Sequence, residues 1–395
     1  MSAVALLLLA LTAVSALYWA WTLVCAYRFS RRPHWATSGF QPAVSVLKPL
    51  QGDDGHLYDT LRSFCGQAYP AYQLVFGVRD VADPAVSVVR RLQAEFPTID
   101  MVLAVGGPDW GANRKMSNVI NLLRHARHDV LVLADSDMRV TPDYLGEVVA
   151  PLADPTVGLV TCLYKGTGSG FASMLGAMFI NEWFLPSAVV AVMLQPLRHA
   201  FGATMAIRRE TLAAIGGFEA VADYLADDYM LGWLVSRRGL RVVLSPYLVE
   251  NVVAESDLGG LVLHELRWTR TVRAMRPASY FGAVVTHGIP LALGLVLVAG
   301  TTPLALGLLF VHLGLRCGGR LLLYPWFGLA RPWRSSWLVP ARDLLTFTLW
   351  ACSFLGRGVH WSGERLRVRG DGTLVAAPRP AAPALDAVNA APDSK

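Results

Sequence analysis

The chain has 395 residues, of which 54% are apolar and only 16% charged. Ordinary globular domains carry about 25% charged residues, so the composition argues against a purely soluble protein and excludes a disordered or collagen-like one. Lys and Arg outnumber Asp and Glu by 35 to 29, a net charge of +6 that suits an anionic membrane surface or a phosphorylated substrate.

Residues 1–27 carry no charged side chain. A helix from Ala3 to Tyr27 would run ~37 Å at ~1.5 Å per residue, enough to cross a bilayer with tilt. Arg28, Arg31 and Arg32 follow at once, so the positive-inside rule places the N-terminus outside and the next domain in the cytoplasm. A cleaved leader ending near Ser15-Ala16 is the competing reading, but it would call for a basic start and a shorter apolar run. The five cysteines are odd in number and lack metal spacing, as expected of reduced packing cysteines.

Between residues 42 and 255, short apolar runs alternate with helical patterns. Ala43–Leu47, Leu74–Val78, Met101–Val105 and Val130–Ala134 read as buried strands; Leu57–Cys65, Ala85–Phe96 and Lys115–His125 read as the helices between them. This alternation predicts a doubly wound, Rossmann-like α/β domain with a parallel sheet over residues 28–257, whose ligands bind beyond the carboxyl ends of the strands.

Asp80 follows the second strand and suits a hydrogen bond to a nucleoside, or else a helix cap, a role that fits Asp83 better. Asn113-Arg114-Lys115 suits phosphate neutralisation or a solvated helix start, and Lys48 has the same two readings. Asp135-Ser136-Asp137 ends the fourth strand. Two carboxylates so spaced can point to one side and offer hard oxygen ligands to Mg²⁺ or Mn²⁺ against a diphosphate. Asp227-Asp228 precedes a helical pattern; the pair caps the helix, or one member is a general base toward an attacking hydroxyl.

Residues 258–279, with Arg267, Arg270, Arg273 and Arg276 among Leu261, Trp268, Val272 and Met275, read as a basic amphipathic helix at a membrane interface. An uncharged stretch from Pro277 to Leu315 is too long for one span. A break at Ala299-Gly300-Thr301-Thr302-Pro303 makes it a transmembrane hairpin over residues 280–325. Residues 336–358 form a re-entrant or fourth transmembrane helix. Arginines flank it on both sides (Arg331, Arg334; Arg357, Arg365), and Arg342 and Asp343 must sit near a boundary or pair with each other. The Ala- and Pro-rich residues 371–395 read as a flexible tail.

The ordered series Lys48-Pro49-Leu50, Val78-Arg79-Asp80, Asp135-Ser136-Asp137, Ala226-Asp227-Asp228 and His264-x-x-Arg267-Trp268 resembles the ceramide glucosyltransferase family. Those are membrane-anchored, inverting glycosyltransferases of GT-A fold, with three separated aspartates followed by (Q/R/H)-x-x-R-W. The stretches Gly111-Ala-Asn-Arg-Lys115, Phe201-Gly-Ala-Thr-Met205 and His264-Glu-Leu-Arg-Trp268 are most similar to the bacterial hopanoid-biosynthesis branch. The resemblance implies transfer of N-acetylglucosamine from UDP-N-acetylglucosamine to bacteriohopanetetrol, in a bacterial inner membrane. It implies that Asp80 holds the nucleotide, Asp135 and Asp137 the metal–diphosphate, and that Asp228 is the catalytic base. Lys115, His264, Arg267 and Trp268 complete the donor site. The partners are then a UDP-sugar, a membrane lipid acceptor (hopanoid or ceramide) and the bilayer, with no nucleic acid. The alternatives are ceramide glucosylation with UDP-glucose and a processive polysaccharide synthase. The latter usually has Gln where His264 stands and needs more spans. A transporter or scaffold would leave the aspartates without a joint purpose.

Overall fold

Four short apolar runs become the parallel half of a mixed sheet: β1 (Val44–Pro49), β2 (Tyr72–Val78), β3 (Asp100–Val105) and β4 (Val130–Ala134). Successive side chains of a strand face opposite ways, and both faces are covered. On β4, Val130, Val132 and Ala134 join one core, whereas Leu131 and Leu133 join the other. Two-sided burial explains why the runs are continuously apolar. Helices Leu57–Cys65, Ala85–Glu95 and Arg114–Leu123 pack between them, each within two residues of its expected bounds. The computed structural model describes residues 2–35, 39–330, 333–356, 358–361 and 364–376.

The all-parallel expectation fails beyond β4. With β6 (Val157–Thr161), β8 (Thr204–Arg208) and β9 (Arg241–Leu244), the sheet order is β3-β2-β1-β4-β8-β6-β9, and β8 runs antiparallel to both neighbours. The chain reaches β8 only after a long helical excursion and enters the sheet from the opposite end. A second sheet, β5-β10-β7, combines β5 (Met138–Arg139), β7 (Tyr164–Gly168) and β10 (Val249–Val253). Because β5 starts one residue after the acidic triplet, this small sheet holds the turn from its far side.

The excursion is the helix Phe171–Leu194, 24 residues long and apolar enough to cross a membrane. The sequence reading missed it inside the stretch 28–257, because Asn181, Glu182 and Pro186 interrupt its apolar run. Asn181 serves the fold: its side-chain amide donates to the carbonyl of Gly166 and accepts from the Gly166 N–H, both at 2.8 Å. Val189 and Val190 pack against Cys25 and Phe29 of the N-terminal helix Ala3–Ser30, and against Leu323 further on.

Among the described residues three helices are long and apolar enough to cross a membrane: Ala3–Ser30, Phe171–Leu194 and Pro303–Trp326. A fourth is added if Pro277–Thr286 and Gly288–Ala299, bent by 67°, count as one. The expected break lies between Ala299 and Pro303. Gly300 adopts φ 72°, which a glycine accepts without strain, and the Thr302 hydroxyl caps the next helix by accepting from Ala305 N–H at 3.3 Å.

The C-terminal region corrects two expectations. Arg342 and Asp343, in the helix Val339–Ser353, do not pair with each other: Arg342 pairs with Glu265 and Asp343 with Arg316. Consecutive residues on a helix point about 100° apart, so the two side chains reach different neighbours. The tail reading at 371–395 also begins too early. Leu374–Ala376 is β13, paired with β12 (Glu364–Val368), which pairs with β11 (Gly358–Trp361). Residues 377–395, Arg331 and Arg357 lie outside the described residues.

The helix Leu258–Met275 presents Leu261, Glu265 and Thr269 inward. Two of its arginines are tied to the chain itself: Arg270 donates to the Gly358 carbonyl at 2.5 Å and Arg273 to the Gly356 carbonyl.

Candidate active site

The acidic triplet sits where the parallel sheet predicts, in the turn leaving β4. Lys48 is neither of the things expected of it. It lies inside β1, fully buried, stacked 3.6 Å over the Phe64 ring, and its Nζ donates to the Asp135 carbonyl at 2.8 Å. Burial lowers its pKa to about 7 against the opposing pull of Asp137 and Asp135. It supports the turn from below rather than meeting a phosphate.

Lys115 stands at the start of Arg114–Leu123, a helix capped by Asn113, whose side chain accepts from Met116 N–H at 2.9 Å. Its Nζ lies 2.6 Å from Asp135 Oδ1 and 3.6 Å from Asp227 Oδ2. Burial alone would lower its pKa; the two carboxylates outweigh it and hold the ammonium above its ordinary range. Asn113 also donates to Asp227 Oδ1 at 3.3 Å and to the Tyr224 carbonyl at 2.7 Å.

Of the two roles the sequence leaves open to the pair, Asp227 does not take that of a cap on the helix it opens, Asp227–Arg237. It is 4% exposed and turned toward Lys115 and Asn113, and that helix start has no side-chain cap. Asp228 lies beside Gly202 and accepts from Tyr229 N–H at 2.7 Å. A Cβ built on Gly202 would stand 3.2 Å from Asp228 Oδ2 and 3.6 Å from Asp135 Oδ2. The two carboxylates thus converge on one glycine, where any side chain would crowd them. Burial, then the Asp227 charge, raises Asp228 to about 7.

Asp137, two residues on from Asp135 in the same turn, accepts from Asn251 Nδ2 at its Oδ2 at 2.8 Å. Burial, then Asp135, raises it to about 6. It lines a cleft of about 220 Å³ together with Asn251, Glu255, His264 and Trp268. His264 Nδ1 lies 2.6 Å from Glu255 Oε1, and its ring meets Trp268 edge-on at 4.5 Å. Arg267, on the same helix, lies in the electrostatic reach of Asp135, Asp137 and Tyr164; burial lowers its pKa despite them.

The structure thus brings together Lys115, Asp135, Asp227 and Asp228, and lines the adjoining cleft with Asp137, His264 and Trp268, with Arg267 in the electrostatic reach of Asp135 and Asp137. Asp80 stands apart as an exposed residue after β2, its Oδ1 accepting from Ala82 N–H at 2.9 Å. Asp83 is the acid that steadies the next helix, accepting from Ala85 N–H at 2.9 Å and Gly52 N–H at 3.0 Å. Sequence reasoning missed Asn251 and Glu255. Their one signal is position, in and just after a strand (β10) that runs beside the triplet.

A sheet whose central strand ends in an acidic turn, faced by a second acidic pair and a helix-borne arginine, defines a GT-A-type glycosyltransferase fold. A mannosyltransferase from Pyrobaculum calidifontis, solved in complex with GDP-Man and Mn²⁺, superposes with a TM-score of 0.52 at 22% identity, covering 86% of this chain and 98% of that one. The chain belongs to glycosyl transferase family 21, whose sequence profile matches residues 7–374. Ceramide glucosyltransferase 1 of Caenorhabditis elegans is 27% identical over 265 residues, 66% of this chain and 57% of that protein. The ceramide glucosyltransferase of Candida albicans is 28% identical over 121 residues, 28% of this chain and 22% of that protein. The match spans just over half the length of the nematode protein.

Proposed function

We propose that the protein is a membrane-bound, inverting glycosyltransferase that moves a sugar from a UDP-sugar to a lipid hydroxyl at the cytoplasmic face of a bacterial inner membrane. The observation that carries this reading is the convergence of Asp135 and Asp228 on Gly202, with Lys115 between the acidic pairs. Asp228, with its raised pKa, is matched to accept the proton of an attacking hydroxyl near neutral pH. Arg267 and Lys115 place positive charge where a diphosphate leaving group gains negative charge. The resemblance assigns the nucleoside to Asp80, which is exposed after β2 and apart from the other acids, while His264 and Trp268 border the cleft.

Mg²⁺ or Mn²⁺ fits the donor set at Asp135 and Asp137. Two carboxylates leave one turn as hard oxygen donors, and burial, then the Asp135 charge, raises the Asp137 pKa. Among the described residues no cluster of three His, Cys, Asp or Glu completes a protein-only cage, as befits Mg²⁺, which takes one or two carboxylates plus substrate phosphates. When bound, the metal would neutralise charge on the diphosphate.

For the particular substrates, the quoted hopanoid-like stretches favour N-acetylglucosamine and bacteriohopanetetrol. The names of the relatives favour the second reading, glucose and ceramide. Lipid extracts from cells with and without the gene, compared by mass spectrometry, test both. Loss of an aminosugar-bearing hopanoid supports the first and loss of a hexosylceramide the second. An unchanged glycolipid profile, together with no transfer by the purified protein from UDP-sugars, counts against glycosyl transfer altogether.

A further inference from the structure

A buried ion pair sits directly behind the Arg267 motif. Glu265 pairs with Arg342 at 2.5 Å, with side chains only 3% and 2% exposed. Arg342 also lies 5.2 Å over the Phe179 ring, and Phe179 packs against Trp268 at 6.0 Å. Residues four apart share a helix face. Leu261, Glu265 and Thr269 form the inward stripe and His264 and Trp268 the neighbouring one; Leu261, Glu265, His264 and Trp268 all border the cleft beside Asp137, and His264 Nδ1 meets Glu255 Oε1 there at 2.6 Å. A rotation of the helix by one residue, about 100°, would exchange the two.

Packing alone is a poor reason for this pair. Apolar residues of similar volume in place of a buried ion pair are often neutral or stabilising. Here Glu265 Oε1 and Arg342 Nε and Nη1 remain buried without a hydrogen-bond partner among the described residues. What an ion pair provides and two leucines do not is direction. Its anchor is fixed in turn: the next residue, Asp343, accepts from Arg316 Nε at 2.7 Å and Nη2 at 2.6 Å, and Arg316 Nη1 donates to the Glu182 carbonyl at 2.8 Å.

We infer that Arg342 is a positioning residue. Through Glu265 it sets the rotation of the helix Leu258–Met275, so that Arg267 faces Asp135 and Asp137 and His264 faces the cleft. The helices of the membrane bundle thereby set the geometry of the transfer site. This role rests on the proposed glycosyl transfer and adds to it the part that the C-terminal helix plays.

The test compares the full-length wild type with Arg342→Lys, with the double variant Glu265→Leu/Arg342→Leu, and with Glu265→Gln/Arg342→Met, which decides if the Leu pair does not fold. The double variants should keep the thermal transition and hold the donor KM within about threefold, while kcat falls on the order of 10²-fold, the size of effect a roughly 1 Å misplacement produces. Arg342→Lys, which keeps the charge, should lose far less. A folded double variant with wild-type kcat overturns the inference.

A second readout is independent of catalysis. Glu255→Cys and His264→Cys, in an otherwise cysteine-free full-length chain, should be joined readily by a short bis-methanethiosulfonate. Adding Glu265→Gln/Arg342→Met should slow that reaction severalfold, and an unchanged rate overturns the inference. If the Glu255→Cys/His264→Cys chain with Glu265 and Arg342 intact cross-links as expected while the wild type transfers no sugar, that counts against the proposed function alone.

Discussion

Two buried charged regions adjoin the helix Leu258–Met275, and they are built on opposite rules. On the sheet side, Asp135, Asp137, Asp227 and Asp228 crowd around two lysines, Lys48 and Lys115, and one arginine, and the pKa values of Asp137 and Asp228 are pushed up. On the bundle side every acid has its own base: Glu182 with Arg320 at 3.0 Å, Asp343 with Arg316 at 2.6 Å, Glu265 with Arg342. The matched region holds elements together with its charges balanced. The unmatched region carries excess negative charge under partial burial, a cost that a polar or cationic ligand would relieve. Charge balance distinguishes the site from the scaffold where burial does not.

The largest effect should come from removing the cation that would balance the acidic side. Excess chelator should abolish transfer, and Mg²⁺ or Mn²⁺ should restore it. Asp137→Ala should weaken metal-dependent donor binding while lipid binding persists. Full activity in chelator would break the contrast on the sheet side.

Next is Asp228→Asn, which keeps the shape but cannot take a proton. Turnover should fall by about 10²–10⁴, or ~3–5 kcal/mol of barrier, with donor affinity changed only a few-fold. The same group predicts a pH limb. Only the ionised carboxylate accepts a proton, so kcat/KM should be full above about 7 and drop tenfold per unit below it. A profile flat down to pH 5 would remove Asp228 from the role. Asp227→Asn should harm donor binding more than the proton-transfer step, since Asp227 meets Lys115 and Asn113.

On the matched side, Asp343→Asn leaves Arg316 buried without its counter-charge and should cost about 3–5 kcal/mol of stability. The loss should read as a lower thermal transition in detergent, with turnover per folded molecule retained. The smallest change is Asn113→Ala, which removes a helix cap worth ~1 kcal/mol. A much larger loss of activity than of stability would show that its bonds to Asp227 and the Tyr224 carbonyl matter more than the cap.

Local order was legible in the residues themselves. β1 to β4 and their helices follow from apolar runs of strand length punctuated by helical periods, and the placement of Asp135 follows from the carboxyl end of such a strand. Gly300 and Pro303 mark the hairpin break because few residues other than glycine tolerate a positive φ and proline is favoured at the first position of a helix. The N-terminal helix follows from an uncharged run long enough to span a bilayer. None of this depends on a partner distant in the chain.

What the tertiary structure decided is which distant groups meet. Nothing near Lys48 in the chain indicates that it would hold the Asp135 carbonyl, or that Asp227 would turn to Asn113 and Lys115 instead of capping its own helix. Arg342 and Asp343 looked like each other's partners because they are adjacent, yet each is neutralised by a residue more than twenty positions away. Periodicity records which face of an element is buried. It carries no record of what lies opposite, because that is set by how the elements pack, and a buried charge takes whichever counter-charge the packing places within reach.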